Sequence, residues 1–446
     1  MEIMLHVRNF GKIGSADITL GNFILFIGDN NSGKTYLMQL LYGLLEYIRN
    51  GDHGTEETDS FDEWSVQPIT ILRQYEIKKL EYHLNQELKK KIKQIVMDTF
   101  HKMIEIEEIW FEFILDEDER YKLINCSKTK EEDLLQYEHI LTQEDKRIIK
   151  GHPYRKKPCT YIFGNDDGSH PFSLFHERGL VSSLLACLFD TIYGKAIQFF
   201  PASRAGLQLL YKEFFINSAD QQFKGEINKR RSSSLTTPMY EYLRFLQSYY
   251  YDEQTAISNK ALIEYLQTKL LNGKINVSGD VTYIPDGDHV ELPLYMASSM
   301  ITELTPFYYY LTNSEDASML IVDEIESSLH PSKQFEMAGF LNRLCNTGKR
   351  IILSTHSDSM ADKINNLVFL SEKAKTKDIH GILKKCNIDR DDLLQNPDVH
   401  VYNFQNEGER SVVQEIEYNE SYGFYFPTFQ DSLSQLLNEA KTIFEV

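Results

Sequence analysis

Cysteine is scarce in this chain, and what there is lies scattered. Cys126, Cys159, Cys187, Cys345 and Cys386 are odd in number and none stands in C-x-x-C spacing. Neither a disulfide frame nor a zinc site is expected, and the thiols read as reduced. Long apolar runs are missing as well. None approaches the roughly 18 residues that a membrane-spanning helix needs, and the N-terminus has no apolar signal segment. The expectation is a soluble cytoplasmic protein with no membrane partner. Positive charge is also short. Lys and Arg number 47 against 66 Asp and Glu, a formal net charge of −19, which argues against a protein that only coats nucleic acid and leaves room for a local basic groove. No internal repeat is present, and no long span has the composition of a disordered chain. What is present is 446 residues, 42% of them apolar, enough for one large α/β domain with insertions or for two to three units.

The most informative stretch is Gly28–Thr35, Gly-Asp-Asn-Asn-Ser-Gly-Lys-Thr. It fits G-x-x-x-x-G-K-[ST]. The apolar run Phe23–Ile27 before it reads as a buried strand, and Tyr36–Ile48 after it as an apolar helix, which is the context the motif requires. Gly28 and Gly33 let the backbone turn its N–H groups, through Asn30, Asn31 and Ser32, toward phosphate oxygens. Lys34 is expected to reach the β- and γ-phosphates, Thr35 to put its hydroxyl on Mg²⁺, and Tyr36 to border the nucleotide.

Around this stretch, Met1–Leu20 reads as a hairpin, Gly51–Glu63 as an acidic loop and Ile77–Ile104 as one long amphipathic helix carrying the basic run Lys89–Lys93. Ile109–Ile114 reads as a strand, Glu131–Lys150 as mostly helical, Leu180–Ile192 as a helix, and Ala196–Pro201 as a strand that ends at Pro-Ala-Ser-Arg204. Arg204 either stabilises phosphate charge or pairs with an acid in the core. Lys224–Ser234 reads as a loop, Pro238–Tyr251 and Ile257–Leu271 as helices. Lys274–Val277, Val281–Ile284 and Val290–Leu294 are short strands, and Met300–Leu311 is a helix.

A second constellation lies near the C-terminus. Met319–Val322 is a continuous apolar run, as in a strand buried on both faces, and it ends in Asp323-Glu324. Carboxylates at the C-terminal edge of such a strand sit where α/β sheets bind ligands. Asp323 is expected to hold Mg²⁺ and Glu324 to polarise the attacking water as general base. One strand–helix–strand unit later, Ile351–Leu353 ends in Ser354-Thr-His356, which places His356 as a sensor of the γ-phosphate.

Asp323-Glu-Ile-Glu-Ser-Ser-Leu-His-Pro331 followed by Ser354-Thr-His356 resembles the ATP-binding-cassette (ABC) type of P-loop ATPase, in its SMC-like and OLD-like branch. Pro201–Arg204 and Met296–Ser299 share in the likeness. The resemblance implies an α/β fold, an ABC-type head with a mixed sheet plus helical insertions, using ATP and Mg²⁺. It matches Ser327–His330 to the D-loop and Ala297–Met300 to the signature motif, so that Ser298 or Ser299 would contact the γ-phosphate held by a second copy. Met300 departs from the family's glycine there. Gln67 and Gln74 are the candidates for the Q-loop.

The resemblance divides the chain into head segments 1–50, 179–215 and 273–372, a mostly helical insertion 51–178, a helical insertion 216–272 and a C-terminal α/β extension 373–446. Asp389-Arg-Asp391 fits Asp-x-Asp but reads as a helix cap, so the nuclease domain of OLD-like proteins is not expected. Stand-alone ATPases of this branch resemble the ATPase subunits of bacterial anti-phage systems such as PARIS and Septu. The implied partners are a second copy or a higher homo-oligomer, a separate effector and a phage trigger. The alternative is a RecF-like DNA-repair ATPase that clamps DNA, with nucleic acid as its partner.

Overall fold

A computed structural model describes residues 1–50, 69–115, 120–125, 161–165, 172–174, 180–193, 196–223, 235–287, 290–313 and 317–444. The expectations for 51–63, 131–150 and 224–234, and Gln67, lie outside these residues. The strands in chain order are β1 (Glu2–Phe10), β2 (Ile13–Thr19), β3 (Phe23–Gly28), β4 (Ile69–Leu72), β5 (Glu108–Ile114), β6 (Tyr121–Asn125), β7 (Tyr161–Asn165) and β8 (Phe172–Leu174). They continue with β9 (Ile197–Phe200), β10 (Gly273–Asn276), β11 (Thr282–Pro285), β12 (Leu292–Pro293), β13 (Met319–Val322), β14 (Arg350–Ser354), β15 (Val399–Glu407) and β16 (Arg410–Glu415). The helices are α1 (Lys34–Asn50), α2 (Gln74–Phe100), α3 (Leu180–Tyr193), α4 (Arg204–Phe223), α5 (Thr237–Gln247), α6 (Glu253–Ser258) and α7 (Lys260–Tyr265). After them come α8 (Ser299–Thr312), α9 (Pro331–Asn346), α10 (Asp358–Ala374), α11 (His380–Cys386) and α12 (Pro427–Phe444).

One mixed sheet organises the fold, in the order β5-β1-β2-β16-β15-β3-β14-β13-β9. From β15 to β9 every pairing is parallel. The hairpins β1–β2 and β15–β16, with β5 against β1, supply the antiparallel pairings. The sheet is covered on both faces, and β3 shows how. Ile24 and Phe26 pack on one side with Leu37, Leu41 and Leu44 of α1 and Leu84 and Leu88 of α2. Phe23, Leu25 and Ile27 pack on the other with Phe307 of α8, Phe340 of α9 and Ile364 of α10. Two-sided burial is why β3, β13 and β14 are apolar without alternation.

Several expectations are corrected. The long helix stops at Phe100, because His101 turns left-handed (φ 51°) and its N–H closes on Met97 O; Ile104 lies beyond it. The described part of 51–178 is not mostly helical: beside α2 it holds β5, at the edge of the main sheet, and the four-stranded sheet β4-β6-β7-β8. The single helix expected over Ile257–Leu271 is broken at Asn259 and ends in a π-helical turn, Leu266–Leu271. The segment expected as a C-terminal extension lies in the middle of the head sheet, since β16 pairs with β2 and β15 with β3. A remote strand pair of this kind has no local signature, because only its non-local partners decide its place. Asp389 does cap a short turn, accepting from Asp391 N, and pairs with Arg343. No helix among the described residues is long and apolar enough to cross a membrane.

Candidate functional site

The parallel strands β3, β14 and β13 lie side by side, so the segments that leave their C-terminal ends meet at one edge of the sheet. From β3 the chain enters the phosphate loop. Gly28 has φ 118°, and a Cβ there would run into the backbone of Phe404 on β15. Only glycine fits both demands. The loop's carbonyls are bound by the protein: Lys34 Nζ donates to Gly28 O at 3.0 Å and Asp29 O at 2.7 Å. Ser32 Oγ donates to Asp29 O, and Ser411 Oγ to Ser32 O at 2.6 Å. The N–H groups of Asn30, Asn31, Ser32 and Gly33 donate to no described residue, which leaves a nest of donors at the start of α1, as anion binding requires.

The strand pair β15–β16 props this loop. Asp29 N donates to Phe404 O, Asn406 N to Asp29 Oδ2 at 2.8 Å, and Asn406 Nδ2 to Asn30 O. Sequence reasoning missed Phe404, Asn406 and Ser411, because no motif marks them.

From β13 come the acids. Thr35 Oγ1 donates to Asp323 Oδ2 at 2.7 Å, and Ser354 Oγ at the end of β14 donates to Asp323 Oδ1 at 2.6 Å. Thr35 and Asp323 thus converge across 288 residues of chain, and their oxygens suit a hard cation such as Mg²⁺. Glu324 follows in a left-handed conformation, φ 47°. For a residue with a side chain this costs roughly 1–3 kcal/mol, and it persists only where neighbours fix the backbone from several sides. Here they do. The N–H of Glu324 donates to Ser354 Oγ at 2.9 Å, and its carbonyl accepts from Arg204 Nη2 at 3.3 Å. Ser354, quoted in the sequence only as a neighbour of His356, therefore clamps both acids.

Of the two readings of Arg204, the structure selects the core one. It is 1% exposed and its Nε lies 3.0 Å from Glu303 Oε2 on α8. Nη1 donates to Pro201 O and to Asp323 O at 2.8 Å. Removing one partner of such a buried pair typically costs about 3–5 kcal/mol.

His356 lies at the same edge. Its N–H donates to Glu326 Oε1 at 2.6 Å, so Glu326, a residue assigned no role from sequence, anchors it. Partial burial and then the nearby Lys34 charge lower the His356 pKa, favouring the neutral imidazole. Burial, then Asp323 and Glu326, raise that of Glu324, which makes it a stronger base when ionised.

Ser298 is the N-cap of α8 without a side-chain bond to it, and Ser298 and Ser299 are both exposed. Neither shares a hydrogen bond with Lys34, Thr35, Asp323 or Glu324. Tyr36 is half exposed and packs on Phe10 and Phe100 at 6.5 and 5.8 Å. Gln74 is exposed at the start of α2.

Burial pushes the Lys34 ammonium down to about 8, against the pull of Asp323, Asp29 and the nearby glutamates. Bound phosphate favours the charged form. With Lys34 on a phosphate, as the sequence leads one to expect, binding would take up a proton as pH rises through about 8 and affinity would fall, while well below that pH this group would add no pH dependence. Titration calorimetry of ATP at pH 9 in buffers of different ionisation enthalpy is expected to show that uptake. Proton uptake of zero at pH 9 would contradict the assignment.

No curated protein matches this chain. Three solved structures are similar in fold only weakly. An SMC head bound to the C-winged helix domain of ScpA is 9% identical and has TM-score 0.39, with 94% of this chain and 98% of that chain covered. The SMC head domain from Thermotoga maritima is 8% identical and has TM-score 0.34, with 94% and 100% covered. An Smc head with an extended coiled coil, bound to the C-terminal domain of ScpA derived from Pyrococcus furiosus, is 10% identical and has TM-score 0.35, with 98% of each chain covered. Likenesses this weak say nothing about function. The family model AAA_15, the AAA ATPase domain, matches residues 1–361. Together with the phosphate loop and the acids beside it, that match makes the chain a member of the AAA_15 family and an ATPase.

Proposed function

We propose that the chain is an ATP-driven switch whose working unit is a pair of copies, each completing the other's nucleotide site. The observation that carries this reading is the division of the candidate residues. Lys34, Thr35, Asp323, Glu324 and His356 gather at one sheet edge, whereas Ser298 and Ser299 stand exposed at the head of α8 with no bond to them. Donors at a helix N-terminus suit a phosphate, and these face outward.

In this reading the loop N–H groups and Lys34 hold the β- and γ-phosphates. Thr35 and Asp323 hold Mg²⁺, which neutralises phosphate charge. Glu324 takes the proton of the attacking water, and His356 donates to the γ-phosphate. Hydrolysis removes the group that both copies grip, so the pair opens; a ligand drives such a change only through unequal affinity for two states.

The switch acts on a separate effector, in anti-phage defence, triggered by a phage component. This step rests on the resemblance of the Asp323–Pro331 and Ser354–His356 motifs. The second reading, a clamp on nucleic acid, is favoured by the exposed Lys89, Lys91 and Lys93 of α2. Co-purification with the product of the adjacent gene, with and without ATP, decides between them. ATP-dependent capture of that protein supports the effector reading. Salt-sensitive DNA binding that stimulates ATPase, with no captured protein, overturns it.

A further inference from the structure

The buried Arg204–Glu303 pair joins two parts of the molecule that the proposed dimer must keep in step. Glu303 lies on α8, five residues after its N-cap Ser298. Its Oε1 accepts from Ala205 N at 2.9 Å, so its carboxylate is tied to the start of α4. Arg204, the first residue of α4, spreads its guanidinium over the backbone of the acids, with Nη1 on Asp323 O and Nη2 on Glu324 O. One chain of contacts thus runs from the serine-headed end of α8, through Glu303 to Ala205 and Arg204, and from Arg204 to the carbonyls of Asp323 and the left-handed Glu324. At 1% and 3% exposure, no solvent is at hand to replace either partner.

The link is unfinished in one respect. Nε and Oε2 stand 3.0 Å apart, close enough to be an ion pair, yet neither atom has a hydrogen-bond partner of acceptable direction. Buried polar atoms are rarely left so. Because the guanidinium is planar and rigid, a displacement of Glu303 on α8 is passed to the carbonyls of Asp323 and Glu324 that the guanidinium bonds.

We infer that the Arg204–Glu303 pair is a strut that couples α8 to the catalytic carboxylate, so that engagement of Ser298 and Ser299 by the nucleotide of a second copy sets the position of Glu324. Arg204 and Glu303 are positioning residues: they touch no substrate and act through Glu324. The inference rests on the dimer reading above.

The test compares the full-length chain with Glu303→Gln and Arg204→Lys. Glutamine offers one acceptor where two donors converge, and lysine keeps the charge without the fork. The readouts are ATP affinity, ATP-dependent dimerisation by sedimentation, kcat and the Hill coefficient of hydrolysis. The wild-type chain is expected to dimerise with ATP and to hydrolyse it cooperatively. Both variants are expected to bind ATP within threefold of wild type and still dimerise, with kcat lowered at least tenfold and the Hill coefficient lowered. Where Glu303→Gln does not fold, Glu303→Asp, which retains the charge a methylene shorter, is read in the same way. A dimer whose variants keep wild-type kcat and cooperativity overturns the strut alone. A wild-type chain that stays monomeric with ATP overturns the dimer reading, and the strut with it.

Discussion

Replacing Glu324 by glutamine is expected to lower kcat by about 10²–10⁴-fold, the usual contribution of a general base, while ATP still binds. Glutamine has the same shape, so the backbone bonds to Ser354 Oγ and Arg204 Nη2 persist and the left-handed turn is kept. What is lost is the ability to accept a proton. The acid in this chain has its pKa raised by burial and by its acidic neighbours, so the effect should fall on catalysis and not on affinity. Single-turnover hydrolysis beside equilibrium ATP binding separates the two. If the variant hydrolyses at the wild-type rate, another group is the base. If instead it loses ATP binding, Glu324 acts in the ground state and the assignment fails equally.

Replacing Lys34 by alanine is expected to do the reverse, weakening binding first. Lys34 is 5% exposed and is held among Gly28 O, Asp29 O and Ser32 Oγ. Those acceptors are neutral, so phosphate oxygens, which carry charge, are better partners for the ammonium. A hydrogen bond to a charged group contributes about 1.5–3 kcal/mol; losing two of them weakens affinity by roughly 10²-fold or more. Stability without ATP should change little, since removing the side chain also removes the cost of a buried charge that has already brought its pKa down to about 8. Calorimetric affinity and thermal melting check both halves. Unchanged affinity would contradict a phosphate role for Lys34.

The local parts of this site were legible in the sequence because each obeys a short-range rule. Gly28–Thr35 is one turn between one strand and one helix, and Asp323 and Glu324 end an apolar strand. Their meeting across 288 residues followed from strand-end chemistry that parallel sheets share. What could not be read was whatever depends on distant partners. Phe404 and Asn406 brace the phosphate loop only because β15 lies beside β3, and nothing in Val399–Glu407 says which strand it will join. Glu303 reads in sequence as one more polar residue on a helix; only the fold places it against Arg204. Ile104 was assigned to α2 on periodicity, which does not register the left-handed His101 that ends the helix. Ser298 and Ser299 are named by likeness alone, and the fold adds that they stand exposed at the N-terminus of α8.

The central claim is that each nucleotide site is shared by two copies, and complementation tests it most directly. One chain carries Lys34→Ala; the other carries Ser298→Ala with Ser299→Ala. Each alone should be inactive, the first for want of ATP binding, the second because neither site is completed. Mixed, they form pairs in which the intact Lys34 of one copy faces the intact serines of the other, and the mixture should hydrolyse ATP faster than either parent, at a rate below wild type because the copy that holds the ATP lacks the serines through which the strut sets its own Glu324. A mixture no more active than the sum of its parts, or a serine variant with full activity by itself, would contradict the shared site.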